Sequence, residues 1–99
     1  MGDSDAMDSP ATPLISILMP FYQAQATLEA CLRSIKRQTL TDWECVLVDD
    51  GSTDGGPAIA ARFAAEDPRI RVVTTAHRGL VSALGTGLAH CAGRHVARM

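Results

Sequence analysis

Four short apolar runs, separated by three stretches whose apolar residues recur at helical spacing, govern what this chain can become. Leu14 to Met19 is apolar except for Ser16 and stops at Pro20. A run without alternation reads as a strand covered on both faces. Leu28, Cys31, Leu32 and Ile35 then fall at i, i+3, i+4, i+7, the stripe of an amphipathic helix. Thr27 is placed to cap it, with Glu29 in the first turn and Lys36 and Arg37 in the last, each charge suited to the helix dipole. Cys45 to Val48 is a second buried run, followed by Asp49-Asp50-Gly51-Ser52. Asp54 is the expected cap of a second helix, with Pro57 in its first turn, Ile59 and Phe63 on its inner face and Asp67-Pro68 at its end. Ile70, Val72 and Val73 make a third strand. Leu80, Ala83, Leu84, Gly87, Leu88 and Cys91 continue a helical stripe that Gly93 is expected to stop, and His95-Val96-Ala97 opens a fourth strand. The order βαβαβαβ predicts a three-layer α/β fold on a mostly parallel sheet with right-handed crossovers. A fourth strand that ends as it starts would cover its neighbouring edge poorly, so the expectation is an incomplete domain.

Ninety-nine residues suffice for one small domain. Residues 1–13, acidic and rich in Ser, Ala and Pro, lack the basic start and apolar run of a signal peptide and read as a disordered lead-in. With a net charge of −2 and no basic cluster beyond Lys36-Arg37, the chain carries no footprint for nucleic acid. No stretch is long enough to span a membrane, and a cytoplasmic location is expected. Cys31, Cys45 and Cys91 stand far apart, as buried reduced thiols do, rather than as a disulfide framework or zinc site. His77, His90 and His95 have no companion ligands at metal spacing and are assigned surface or core roles.

In an open parallel sheet, ligands bind beyond the carboxyl ends of the strands. Two segments fall there: Pro20-Phe21-Tyr22-Gln23 after the first strand and Asp49-Asp50-Gly51-Ser52 after the second. An ionised carboxylate only accepts hydrogen bonds, which suits a ring N–H of a base or a ribose hydroxyl. Tyr22 offers a face on which a base can stack, and Gly51 permits close backbone approach. The same Asp-Asp-Gly also suits a solvated turn, and spacing alone leaves both readings open. Gly85-Thr86-Gly87 begins like a dinucleotide fingerprint but lies inside the third helix without the further glycine, so close helix–strand packing accounts for it better.

Taken in order, these segments resemble the start of a family 2 glycosyltransferase with the GT-A fold, over residues 14–99. ISILMPFYQ resembles the family's first strand and Pro-x-Tyr-Asn turn; TLEACLRSIKRQTLTDWECVLVDDGSTDG resembles its first helix, Gln-Thr turn, and Asp-Asp-Gly-Ser-Thr-Asp signature. HRGLVSALGTGLAHCAGRHVARM resembles the segment that leads to the family's metal-binding Asp-x-Asp. The resemblance implies the donor-binding part of a Rossmann-like, inverting enzyme that moves a sugar from a nucleotide-sugar to an acceptor hydroxyl, in cell-surface polysaccharide or glycoconjugate synthesis. By position it implies that Pro20, Phe21 and Tyr22 line the base pocket. Asp50 would accept a hydrogen bond from the base, Asp49 would support the ribose side or the loop, and Ser52 would help hold that loop. Arg78, Gly79 and Ser82 are weaker candidates on the same crevice. UDP is the default nucleotide, and Mg²⁺ or Mn²⁺ the implied cation, whose ligands would follow Met99 and are absent here, as is the catalytic base. Any anchoring helices of a membrane-associated parent would also come later. Gln23 stands where the family has Asn, and Gly85 where many members have Asn, which puts the crevice geometry in question.

Two other functions compete. One is a non-catalytic nucleotide-binding or interaction module. The other, a phosphoacceptor receiver, needs an acidic pair after the first strand and an Asp after the third, where this chain has Pro20-Phe21-Tyr22 and Thr74-Thr75.

Overall fold

A computed structural model describes residues 14–37 and 42–98. The expected lead-in, the Gln38-Thr39 turn and Met99 lie outside them. The elements are β1 (Ile15–Phe21), α1 (Leu28–Lys36), β2 (Trp43–Asp49), α2 (Gly56–Glu66), β3 (Ile70–Thr74), α3 (Leu80–Leu88) and β4 (His95–Arg98). Among the described residues the strands form one sheet of order β3-β2-β1-β4, and every pairing is parallel. The chain steps outward from β1 to β3, then returns to the other side of β1. Strand order therefore reverses beside β1, the place where an open α/β sheet opens a crevice.

Both central strands run further than their apolar cores. β1 and β2 pair from Ile15↔Trp43 to Phe21↔Asp49, which carries β1 through Pro20. A proline survives there because β4 pairs with β1 only as far as Leu18, so no ladder partner is lost on that side. All seven residues of β2 are buried, as expected of a strand covered on both faces.

The two faces are filled unequally. On one, Ile17, Met19, Phe21, Cys45, Leu47 and Ile70 pack against Leu28, Leu32 and Ile35 of α1 and Ala60 and Phe63 of α2. Each fully buried Leu or Ile there contributes about 1.5–3 kcal/mol. On the other face, Leu18, Val46 and Val48 meet α3 mainly through Ala83. Of the predicted α3 stripe, Ala83 and Gly87 are buried and Leu84 and Cys91 half-buried, while Leu80 and Leu88 are exposed. The stripe is too wide for a contact made through small residues. Gly87 is the reason α3 lies so close: a Cβ there would collide with Leu18 and come within 2.8 Å of Val48. Gly85, by contrast, faces open space.

Several local expectations are corrected. Thr27 makes no side-chain cap; α1 starts instead from a backbone turn in which Thr27 and Leu28 both donate to the Ala24 carbonyl. The cap position of α2 is Gly55, although the Asp54 carboxylate still takes the Gly56 N–H at 2.8 Å. The inner face of α2 is Gly56, Ala60 and Phe63, with Ile59 only half-buried. Helix α3 stops at Leu88, well before Gly93. Gly93 serves a different purpose, since a Cβ there would lie 2.6 Å from the Ser16 backbone nitrogen. The three cysteines are free thiols, but only Cys45 is buried. Burial pushes its thiol up to about 12, so it is inert at neutral pH.

Candidate functional site

At the carboxyl edge of the sheet, the β1–α1 and β2–α2 loops are laced together. Gln23 adopts the left-handed conformation, φ 54°, an unusual one for a residue other than Gly, Asn or Asp. Its side chain explains why it is held there. The amide oxygen accepts the Thr53 N–H at 2.7 Å and the Asp54 N–H at 3.3 Å, while its own NH2 donates to Thr53 Oγ1. Gln23 N–H donates to Ser52 Oγ, Gln25 N–H to Asp54 Oδ2, and Gly55 N–H to Gln25 Oε1. The departure from Asn at position 23 thus leaves a clamped loop rather than a disrupted one.

Asp49 and Asp50, adjacent in sequence, face different surroundings. Asp49 is buried, and its carboxylate accepts the Ser52 N–H at 2.8 Å, closing the turn after β2. Asp50 is 4 % exposed and turns toward the β3–α3 connection. Its Oδ1 accepts the Arg78 N–H at 3.0 Å and the Thr75 hydroxyl at 3.3 Å. Its Oδ2 accepts the Gly79 N–H and faces His77 Nδ1, both at 3.0 Å. The Arg78 amide above all, then Gly79, His77 and Thr75, hold the Asp50 carboxyl below the usual carboxylate range against the opposing effect of burial. Two glycines shape this junction. Gly51 has φ 77°, and a Cβ on it would lie 2.7 Å from His77 N; Gly79, at φ 96°, turns the chain into α3.

The cleft beside Asp50 has a volume of about 160 Å³ and is bordered by Pro20, Phe21, Tyr22, His77, Gly79, Leu80 and Ala83. Tyr22 is half-exposed, and its ring stacks on His77 with centroids 4.0 Å apart and planes 19° apart. Of the residues singled out in the sequence, Pro20, Phe21, Tyr22 and Asp50 meet at this cleft, although the Phe21 ring is packed in the core on the α1–α2 side. Asp49 and Ser52 stand behind it as parts of the turn. Arg78 and Gly79 reach Asp50 through their backbone amides, whereas Ser82 is exposed and does not line the cleft. His77, assigned a surface or core role from its spacing, is instead a wall of the site. Its position just ahead of Arg78-Gly79, past the end of β3, was the signal available.

A larger depression of about 240 Å³ lies between α1 and α2 among Arg33, Lys36, Arg37, Arg62, Phe63 and Glu66. It is at the amino ends of the strands, and Glu29 and Glu66 pair with Arg33, Arg62 and Lys36. Among the described residues no three His, Cys, Asp or Glu side chains converge as a metal site, and no helix is long and apolar enough to cross a membrane.

Similarity to known proteins agrees with this geometry. The model of the family described as Glycosyl transferase family 2 matches residues 16–99. The chain is 43 % identical over 84 residues to the uncharacterized glycosyltransferase EpsJ of Bacillus subtilis, covering 85 % of this chain and 24 % of that protein. Among solved structures, it resembles a mannosyltransferase of Pyrobaculum calidifontis in complex with GDP-Man and Mn²⁺, with TM-score 0.73 and 33 % identity over 83 % of this chain and 26 % of that one. It also resembles glucosyl-3-phosphoglycerate synthase of Mycobacterium tuberculosis in complex with Mn²⁺, UDP and glucosyl-3-phosphoglycerate, with TM-score 0.70 and 27 % identity over 99 % of this chain and 36 % of that one. The chain therefore spans about a quarter to a third of the length of these proteins. By sequence and by fold, it belongs to glycosyl transferase family 2.

Proposed function

We propose that the cleft binds the nucleoside end of a nucleotide-sugar, and that the protein to which this chain corresponds moves the sugar to an acceptor hydroxyl with inversion. The observation that carries the reading is the meeting of Tyr22 and Asp50 on one cleft at the carboxyl edge of a parallel sheet. An aromatic face and a buried acceptor, set side by side, match the two recognition features of a base: a planar π-surface and a ring N–H. Asp49 and Ser52 hold the loop that presents Asp50, and Pro20 borders the pocket from β1. The GDP-Man and UDP held by the two structural neighbours support a nucleoside diphosphate ligand, with UDP the first choice. Departure of the diphosphate concentrates negative charge that a divalent cation neutralises, and Mn²⁺ accompanies the nucleotide in both neighbours. The described residues do not form that cation site, so no step is assigned to it.

Titration calorimetry of the 99-residue chain with UDP tests the reading. Base–aromatic stacking is worth about 1–3 kcal/mol, so Tyr22→Ala should weaken binding about tenfold. Saturable binding lost on this substitution is the expected result. A folded chain that takes up no UDP, GDP or CDP at millimolar concentration would sink the proposal.

A further inference from the structure

The cleft assigned to a planar base already holds a planar ring. His77 lies flat on Tyr22, 4.0 Å between centroids, and its Nδ1 sits 3.0 Å from Asp50 Oδ2 and 3.2 Å from the Asp50 carbonyl oxygen. A carbonyl and an ionised carboxylate only accept, so Nδ1 carries the proton and donates. One side chain thus supplies both features that the base would bring: a stacking face for Tyr22 and a ring N–H for Asp50.

The other donors on Asp50 are poorly placed to leave. Arg78 and Gly79 donate from the backbone, at the turn into α3. Thr75 is tied by its own N–H to the Asp49 carbonyl at 2.8 Å. A carboxylate has about four lone-pair positions, and these groups together with His77 account for them. His77 and Thr75 both donate through side chains, but the Thr75 contact is longer, 3.3 Å, and it is the His77 ring that stacks on Tyr22 and is 55 % exposed. Its backbone is hemmed in by Gly51, where even a Cβ would come within 2.7 Å of His77 N. Withdrawing the ring needs only side-chain rotation, not movement of the loop.

We infer that His77 is an internal occupant of the base pocket, exchanged for the base when a nucleotide binds, and hence a determinant of nucleotide affinity and choice. This rests on the reading that the cleft takes a nucleotide. The ring keeps Asp50 satisfied and one face of Tyr22 stacked in the free protein, so an arriving base must replace contacts rather than fill vacant ones. A base that offers a stronger stack or a better-aligned N–H displaces the imidazole more readily, which gives the residue a part in selection.

Two measurements on the 99-residue chain separate this from the underlying reading. The first is UDP affinity by calorimetry for the wild type, His77→Ala, His77→Ser and Tyr22→Ala. Removing the competing stack should tighten binding about three- to tenfold in both His77 variants, while Tyr22→Ala weakens it. If UDP binds the wild type but equally or more weakly to His77→Ala and His77→Ser, the exchange is wrong and the nucleotide site stands. If no nucleoside diphosphate binds any folded variant, both fall. The second needs no substitution: proton–proton contacts between the Tyr22 and His77 rings should be seen by NMR in the free chain and vanish at saturating UDP. Their persistence in the bound chain would overturn the exchange.

Discussion

Glu44 and Asp50 mark the two ends of β2, and both are carboxylates almost withdrawn from solvent, 8 % and 4 % exposed. Each is surrounded by donors. Glu44 accepts from the Ser16 hydroxyl, from Arg71 Nη2 at 2.6 Å and from the Ala92 N–H at 2.6 Å, so it binds β1, β3 and the segment leading into β4 to the central strand. Asp50 accepts from residues of a single connection, Thr75 to Gly79. Burial and saturation are therefore common to both and do not distinguish a structural carboxylate from a site. What differs is the setting. Glu44 joins elements far apart in sequence and lines neither of the two clefts described, whereas Asp50 opens on a cavity with an aromatic wall and keeps one donor on an exposed imidazole.

Truncating each carboxylate should separate these roles most sharply. Glu44→Ala strands the Ala92 N–H and the Arg71 guanidinium and cuts three elements loose from β2. At about 1–3 kcal/mol for each buried group left without its partner, the expected loss is about 3 kcal/mol of stability in urea denaturation, with UDP affinity of the folded fraction unchanged. Asp50→Ala leaves the Arg78 and Gly79 N–H groups without their acceptor and should lower the urea midpoint less than Glu44→Ala does, yet abolish UDP binding. A Glu44 variant that loses nucleotide binding while folded, or an Asp50 variant that keeps it, would erase the distinction.

The glycines beside the two carboxylates provide a second contrast. Gly93 donates its N–H to Ser16 Oγ at 2.7 Å in the Glu44 network, and Gly51 closes against the His77 backbone in the Asp50 junction. Alanine at either position forces backbone apart, and at Gly51 it also meets a left-handed φ of 77°. Each substitution should destabilise by about 1–2 kcal/mol, measured from the shift in urea midpoint. Only Gly51→Ala should alter UDP affinity, because only its neighbour faces the cleft. Gly85→Ala, in helix α3 with no atom within 4 Å of the new Cβ, should instead stabilise by about 0.5–1 kcal/mol.

The end of β2 that carries Asp50 was legible in the sequence, and the end that carries Glu44 was not. Apolar runs, interrupted only by Ser16, announced β1 and β2, and a doubly wound order fixes where their carboxyl ends open, so Tyr22 and Asp49-Asp50 came to one edge by pattern alone. Glu44 gave no such signal. Its partners Ser16, Arg71 and Ala92 come from three different elements, and a lone acidic residue in a buried strand has no local period. His77 was missed for a related reason: it is placed by the positive-φ glycines at positions 51 and 79, which set a loop path that spacing does not encode. The α3 stripe misled because hydrophobic period reports which residues share a face. It does not report that close contact through Ala83 and Gly87 leaves Leu80 and Leu88 outside. The cap at Thr27 gave way to a backbone turn, and Asp54 takes the first N–H of α2 from one residue ahead of the cap position.

Acid should touch both ends of β2, with the smallest effect of those considered. Burial alone would raise the Glu44 carboxyl, but the Ala92 amide, the Ser16 hydroxyl and Arg71 outweigh it and hold it below its ordinary value. Asp50 is lowered foremost by the Arg78 amide. A carboxyl whose folded pKa lies below its unfolded value, about 4, contributes stability that is fully present above that pH and is lost as pH falls through the folded value. The urea midpoint should therefore hold from pH 7 to 5 and decline below about pH 4. Glu44→Gln and Asp50→Asn should each flatten that decline, since neither amide can take up the proton. Nucleotide binding adds a way to tell the two apart. If a base N–H replaces the imidazole on Asp50, saturating UDP keeps that carboxyl ionised and moves the acid limb downward in the wild type and in Glu44→Gln. The same ligand should leave the acid limb of Asp50→Asn where it was. An acid limb unmoved by UDP in a wild-type chain that demonstrably binds it would mean that the nucleotide reaches the cleft without touching Asp50.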